Sequence, residues 1–319
     1  MRVLITGSSG FVGSHLVGEL MGRGHEVIAV MRTESKAIPE GIEICLFHLK
    51  QIEEMKRALL DTQPDVIFHL AGQSNVSLSW NDPSAALTIN AVGTVELVKA
   101  AYETVPEARI FTVGSSEEYG MTAKQYELLH EKLECLPQNP YASSKLVAGQ
   151  VAMQLGKKYG MSIIHLRPFN HFGPNQRKGF VISDFSSQIA EIEAGQMEPV
   201  ISVGNLEAWR DFTDVRDIVR AYALLIEKEG LANGIYNVSS GTARKVGDIL
   251  ERLIELSSSS IEVIIDPARY RPNEVERFAG SNEKLRKTVD WSPRYELVDS
   301  LQNTLEWWRS RYKETIKQT

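Results

Sequence analysis

The sequence is poor in cysteine, with 2 in 319 residues, Cys45 and Cys135. Two thiols cannot build a disulfide framework or a four-cysteine zinc site, and no metal is expected. Long apolar runs are missing too: none approaches the ~18 residues that cross a bilayer as a helix. Basic residues are not in excess, since 35 Lys and Arg stand against 41 Asp and Glu for a formal charge of −6. Nucleic-acid binders normally carry the opposite balance. No internal repeat is visible, and Ser257–Ser260 is the single low-complexity run, read as a solvated loop. Met1-Arg2-Val3-Leu4-Ile5-Thr6-Gly7 enters a strand pattern directly, without the architecture of a secretory leader. A cytoplasmic protein with neither a membrane nor a nucleic-acid partner is therefore expected.

What remains is ordinary globular composition, 43% hydrophobic and 24% charged. Single cores stop growing near this length, so one large domain with a smaller one is expected. In the first half, short apolar runs at Arg2–Thr6, Glu26–Met31, Ile42–Phe47, Asp65–Leu70, Arg109–Val113 and Ser162–Arg167 alternate with helically spaced stretches. Apolar strands without polar alternation, separated by helices, predict a doubly wound parallel α/β sheet of Rossmann type over residues 1–170. Beyond it, helical stretches near Asp184–Ala194, Val215–Glu227, Val246–Leu256 and Leu297–Arg311 mix with strands near Val200–Val203 and Ile261–Ile265. Residues 171–319 are expected to form mainly a smaller, mixed α/β substrate domain, with the chain free to cross back to the sheet.

Thr6-Gly7-Ser8-Ser9-Gly10-Phe11-Val12-Gly13 follows the first strand and opens the first helix. Glycines tighten such a turn and let backbone N–H groups approach a pyrophosphate at the helix N-terminus. The spacing is G-x-x-G-x-x-G rather than G-x-G-x-x-G, and Gly7, Ser9, Gly10, Phe11, Val12 and Gly13 are candidate dinucleotide contacts. At the end of the second strand, Arg32 stands where an acidic residue would bind the 2′-hydroxyl of NAD. A guanidinium suits a 2′-phosphate, which favours NADP(H) or a site that also takes NAD(H); the alternative is a surface arginine. Tyr141 has a lysine four residues on, Lys145, so both side chains share one helix face. A neighbouring ammonium is expected to lower the phenol pKa and suit it to proton transfer.

TGSSGFVG, His69-Leu70-Ala71-Gly72, Asn90, Ser115 and Tyr141-Ala142-Ser143-Ser144-Lys145, in that order, resemble the extended short-chain dehydrogenase/reductase family of nucleotide-sugar epimerases, dehydratases and reductases. The resemblance implies a catalytic set of Ser115, Tyr141 and Lys145. It places Leu70, Ala71, Gly72, Asn90, Pro168 and Phe169 around the cofactor with Tyr141 and Lys145. The family's acidic residue after the third strand is replaced by His48-Leu49, which leaves the adenine contact open. Further on, Arg167-Pro168-Phe169-Asn170-His171-Phe172-Gly173-Pro174 resembles the loop whose asparagine meets the substrate diphosphate. Gly204-Asn205-Leu206-Glu207-Ala208-Trp209-Arg210-Asp211 and Arg271-Pro272-Asn273-Glu274 resemble segments of the GDP-mannose dehydratase branch.

That likeness implies a GDP-deoxyhexose substrate met by Ser74, Ser116, Glu117, Tyr141, Asn170, Val181, Asn205, Arg210, Arg271 and Glu274. Two arginines can clamp a diphosphate through bidentate, charge-assisted bonds, and a carboxylate accepts from a ribose diol. Trp209 either stacks on a base or packs. The implied activity is NAD(P)H-dependent reduction of the 4-keto group of GDP-4-keto-6-deoxy-D-mannose to GDP-D-rhamnose. The rival is a GDP-mannose 4,6-dehydratase with Glu117 as base; another nucleotide-sugar epimerase or a non-catalytic dinucleotide sensor fits less well. Apolar residues Leu87, Val95, Leu146 and Val151 on two helices suggest a homodimer through a four-helix bundle.

Overall fold

Strands that are apolar on both faces must be covered on both faces, and the architecture follows from that requirement. The structure, a computed structural model, describes residues 1–33, 38–269 and 275–318. The amino-terminal half runs β1 (Arg2–Thr6), α1 (Phe11–Gly22), β2 (Glu26–Met31), β3 (Glu43–Leu46), α2 (Ile52–Thr62), β4 (Val66–His69), α3 (Val76–Asn81), α4 (Pro83–Leu87), α5 (Gly93–Thr104), β5 (Arg109–Val113), α6 (Pro140–Tyr159) and β6 (Ile163–Pro168). It continues with β7 (Asn170–Phe172), α7 (Val181–Glu193), β8 (Val200–Val203), β9 (Trp209–Asp214), α8 (Val215–Glu227) and β10 (Gly234–Val238). The last elements are β11 (Ala243–Lys245), α9 (Val246–Glu255), β12 (Glu262–Ile265), β13 (Arg277–Phe278), α10 (Glu283–Val289) and α11 (Leu297–Gln318).

One seven-stranded parallel sheet has the order β10-β6-β5-β4-β1-β2-β3. Period-2 alternation sends Val3, Ile5, Phe68 and Phe111 to one face, where they pack with α1 and α8. Leu4, Ile28, Ile67 and Ile110 go to the other, beneath α2, α5 and α6. Strand order reverses between β1 and β4, and ligand crevices of such sheets open at that switch point.

After residue 170 the chain divides its residues between two bodies. α8, β10 and α10 return to the large sheet, where Tyr222, Tyr236, Leu285 and Trp291 join its core. β7, β9, β11 and β13 form a small mixed sheet and β8 pairs with β12. α7, α9 and α11 close over a separate apolar cluster there. Helices α4 and α5 are one rod interrupted at Thr88–Val92 by a π-helical turn. Among the described residues no helix is long and apolar enough to cross a membrane.

The return to the sheet is stapled by Trp291, which is fully buried and donates from Nε1 to the Asp217 carbonyl at 3.0 Å. The Asp217 carboxylate accepts from the Arg294 and Tyr295 backbone N–H groups at 2.9 and 3.0 Å. Replacing this side chain leaves a large cavity and an unsealed segment. Trp291→Ala should destabilise the fold by about 3–5 kcal/mol, read as a lower urea midpoint.

Candidate active site

The turn after β1 is built around two glycines that nothing larger can replace. Gly7 has φ +73°, and a Cβ there would lie 2.8 Å from the Ala71 nitrogen. A Cβ on Gly13 would sit 2.2 Å from the Gly7 carbonyl oxygen. Gly10 caps α1 without any side-chain hydrogen bond, so the first N–H groups of the helix face the opening. Ser8 tethers the turn by donating to the Val30 carbonyl at 3.0 Å. Backbone N–H groups converging at a helix N-terminus in this way can receive a phosphate. The turn opens into a cleft of about 1300 Å³ that runs from Thr6 to the carboxyl-terminal unit.

The cleft wall gathers nearly every residue singled out from sequence. Gly7, Ser9, Gly10, Phe11, Val12 and Gly13 line one end with Arg32, His48 and Leu49. Leu70, Ala71, Gly72, Ser74, Pro168 and Phe169 follow, then Ser115, Ser116, Glu117, Tyr141 and Lys145 at the centre. Asn170, Val181, Asn205 and Arg210 line the far end. The motif residues Arg271 and Glu274 lie outside the described residues. Asn90 is the exception: it is buried behind the wall rather than on it. Within the π turn its Oδ1 accepts from Gln73 N at 2.8 Å, and its Nδ2 donates to Ser144 Oγ at 2.9 Å. It clamps the loop after β4 to α6. Trp209 packs, with the Arg277 guanidinium 5.4 Å from its ring centroid.

Helix α6 starts where it does because Asn139 caps it, accepting from Ala142 N at 2.8 Å, with Pro140 next. That start places Tyr141 in the first turn and Lys145 one turn on. Lys145 Nζ donates to the Val113 carbonyl at 2.8 Å, at the end of β5. Two residues along, Ser115 begins a short 3₁₀ turn, and its Oγ accepts from Glu117 N at 3.2 Å. Glu117 Oε2 in turn accepts from Asn139 Nδ2 at 3.1 Å, which ties it to the cap of α6.

The electrostatics depart from the expectation that Lys145 lowers the phenol pKa. Burial pushes the Tyr141 hydroxyl up; a hydrogen bond with Ser115 opposes this, while Glu117 and Glu118 add to the rise. Burial also pulls Lys145 down to about 8, against the attraction of Glu118. Shared helical spacing brings the two side chains near each other, but the ammonium is committed to a main-chain carbonyl and the phenol's environment is set by desolvation. The result is a desolvated phenol, its pKa raised, beside a serine hydroxyl.

Residues that the motifs did not flag also reach the cleft, among them Gln73, Arg177, Asp184 and Gln188. The segment 170–180 carries Arg177 and half-buried His171, whose Nδ1 lies 2.8 Å from the Phe169 carbonyl oxygen and whose ring stacks on Phe11. Arginine-bearing loop sequence of this kind has no periodicity to mark it. Among the described residues no cluster of His, Cys, Asp or Glu could hold a metal ion.

Residues 4–304 match the family described as GDP-mannose 4,6 dehydratase. The chain is 35% identical to the GDP-6-deoxy-D-mannose reductase of Pseudomonas aeruginosa, over 98% of this chain and 99% of that one. It superposes on the structure of RMD from Pseudomonas aeruginosa complexed with NADPH with a TM-score of 0.87 and 32% identity, covering 97% of this chain and 99% of that one. The Thermus thermophilus UDP-glucose 4-epimerase in complex with NAD gives a TM-score of 0.87 at 27% identity, covering 97% of this chain and 99% of that one. The chain belongs to the GDP-mannose 4,6 dehydratase family, within the extended short-chain dehydrogenase/reductases that its ordered motifs resemble.

Behind the cleft, His69 lies 2.7 Å from Thr6 Oγ1 and 3.1 Å from Thr94 Oγ1. Burial, aided by the Lys145 ammonium, lowers its pKa from 6.5 to about 3. Between those values the unfolded chain binds a proton that the folded chain refuses, so stability is lost as pH falls from 6.5 towards 3. Urea midpoints taken across that acid range should decline more steeply for the native chain than for His69→Asn.

Proposed function

We propose that this member of the family is an NADPH-dependent reductase that converts the 4-keto group of GDP-4-keto-6-deoxy-D-mannose to a hydroxyl, giving GDP-D-rhamnose. The observation that carries the reading is the placement of a buried Tyr141, hydrogen-bonded with Ser115, on a cleft wide enough for a dinucleotide and a nucleotide sugar. A reductase needs an acid at the ketone oxygen, and the Tyr141 hydroxyl, hydrogen-bonded with Ser115 at the centre of the cleft, is the proton donor placed to serve. Kinship with the Pseudomonas aeruginosa reductase supports the substrate. The neighbour complexed with NADPH supports the cofactor, and the exposed Arg32 at the cleft mouth suits a 2′-phosphate. Use of NADH as well is compatible with the same pocket.

The cofactor, when bound, supplies a hydride. The chain supplies the rest. Gly7, Gly10 and Gly13 shape the turn that would receive the pyrophosphate. Ser115 donates to the sugar oxygen at carbon 4, Tyr141 gives it a proton, and Lys145 orients the site from Val113. Asn170, Asn205 and Arg210 line the end where the diphosphate and base would lie, with Arg271 and Glu274 as proposed partners. Glu117, held by Asn139, orients the sugar. The family match also favours a second reading, in which Glu117 moves a sugar proton in a dehydratase.

We also propose a homodimer. α3 to α6 expose the large apolar side chains Trp80, Leu87, Tyr102 and Val147 outside the cleft. Pairing of α4–α5 and α6 with a second copy would form a four-helix bundle. Light scattering on the purified chain should give twice the monomer mass, and a monomer would contradict the proposal. Tyr141→Phe should lower turnover by about 10²–10⁴-fold, with NADPH affinity unchanged in a fluorescence titration.

A further inference from the structure

Behind the residues proposed to handle the substrate lies a charged cluster that the reaction as described does not use. Glu118 is fully buried. Its Oε1 accepts from the Ser115 backbone N–H at 2.9 Å and lies 3.1 Å from His165 Nε2. Its Oε2 accepts from Arg167 Nε at 2.7 Å. His165 Nδ1 lies 2.9 Å from Thr112 Oγ1, and the Arg167 guanidinium stands 4.8 Å from the centroid of the Tyr119 ring. Two glycines keep the space open. A Cβ on Gly114 would come to 2.0 Å from Glu118 Oε1, and one on Gly149 of α6 to 2.4 Å from the His165 ring.

Burying a carboxylate is expensive, and apolar packing of the same volume stabilises a fold at least as well as a buried ion pair. Stability alone therefore does not account for a charge here. Its contacts do. Val113 receives the Lys145 ammonium, Gly114 lies against the Glu118 carboxylate, and Ser115 is bonded to it through its N–H. One carboxylate thus meets two successive residues of the strand end, next to the one that receives the Lys145 ammonium.

We infer that Glu118 is a positioning residue: it holds Val113–Ser115 in the shape that presents the serine hydroxyl and the Val113 carbonyl, and it supplies buried negative charge to the Lys145 ammonium. The inference rests on the reading of Ser115 and Lys145 given under the proposed function. Burial pulls Lys145 down to about 8, and Glu118 is the charge that opposes the fall. Burial pushes the Glu118 carboxyl itself up, but His165 and Arg167 overcome this and hold it below its ordinary value. The other ionisable groups facing the pair are Tyr119 and Cys135 around Arg167, His69 from β4, and Tyr141 one turn earlier on α6.

The test is a carbon-13 lysine NMR titration of the full chain, with the Lys145 resonance assigned by its loss in Lys145→Met. In Glu118→Gln the Lys145 midpoint should fall by about half a pH unit or more, since the charge that favoured the ammonium is gone. The alkaline decline of kcat should move with it, while KM for the keto sugar changes by less than about twofold. Glu118→Asp, which keeps the charge, should return the midpoint towards that of the native chain. A folded Glu118→Gln protein with an unmoved Lys145 midpoint would overturn the inference. If that variant does not fold, Glu118→Gln combined with Arg167→Gln removes both buried charges and takes the same titration. A native chain that consumes no NADPH with the keto sugar would defeat the proposed function instead, and the titration, which needs no substrate, would still decide the role of Glu118.

Discussion

The hydrogen bond from Lys145 to the Val113 carbonyl, 2.8 Å long, is the constraint on which the site depends. It joins the first turns of α6 to the end of β5, so the helix that carries Tyr141 is indexed against the strand that delivers Ser115. Asn139 and Pro140 set where the helix starts, Asn90 holds it from the side through Ser144, and Glu118 fixes the strand end from within. A shift of one residue in any of these would separate the phenol from the serine hydroxyl. Because the ammonium is desolvated, its bond to a carbonyl is stronger than it would be in water. The same desolvation raises the pKa of the Tyr141 hydroxyl.

Much of this was legible in the amino-acid order. β1, β2 and β5 are mostly apolar because both faces of the sheet are covered, and period-2 burial is then invisible but length and flanks are not. The glycine turn and the tyrosine–lysine spacing are local patterns, and local patterns survive in sequence. β10 did not stand out. It carries Asn237 into the core, where the amide is satisfied by the Tyr119 hydroxyl and the Leu129 carbonyl, more than a hundred residues away. β9 reads as a polar binding segment because Asp211 is buried in it. That carboxylate is satisfied by backbone N–H groups of Ser240, Gly241 and Gly280. The π turn at Asn90 has no sequence mark at all.

Two adjacent glutamates show the limit most clearly. Glu117 and Glu118 are chemically identical and neighbours in the chain. A single 3₁₀ turn sends the first to the cleft and the second into the protein, where three partners meet it. The direction of the Tyr141 shift was likewise set by burial, which spacing along a helix does not report. Glu117, by contrast, reaches the cleft and is tied to the cap of α6 through Asn139.

Consumption of the nicotinamide separates reduction of the keto sugar from elimination. The most direct measurement offers the purified chain GDP-4-keto-6-deoxy-D-mannose with NADPH and follows the nicotinamide absorbance. Loss of one NADPH per keto sugar, with GDP-D-rhamnose as product, is the predicted result. Conversion of GDP-mannose without consumption of added cofactor, and no NADPH loss with the keto sugar, would contradict it and identify a dehydratase.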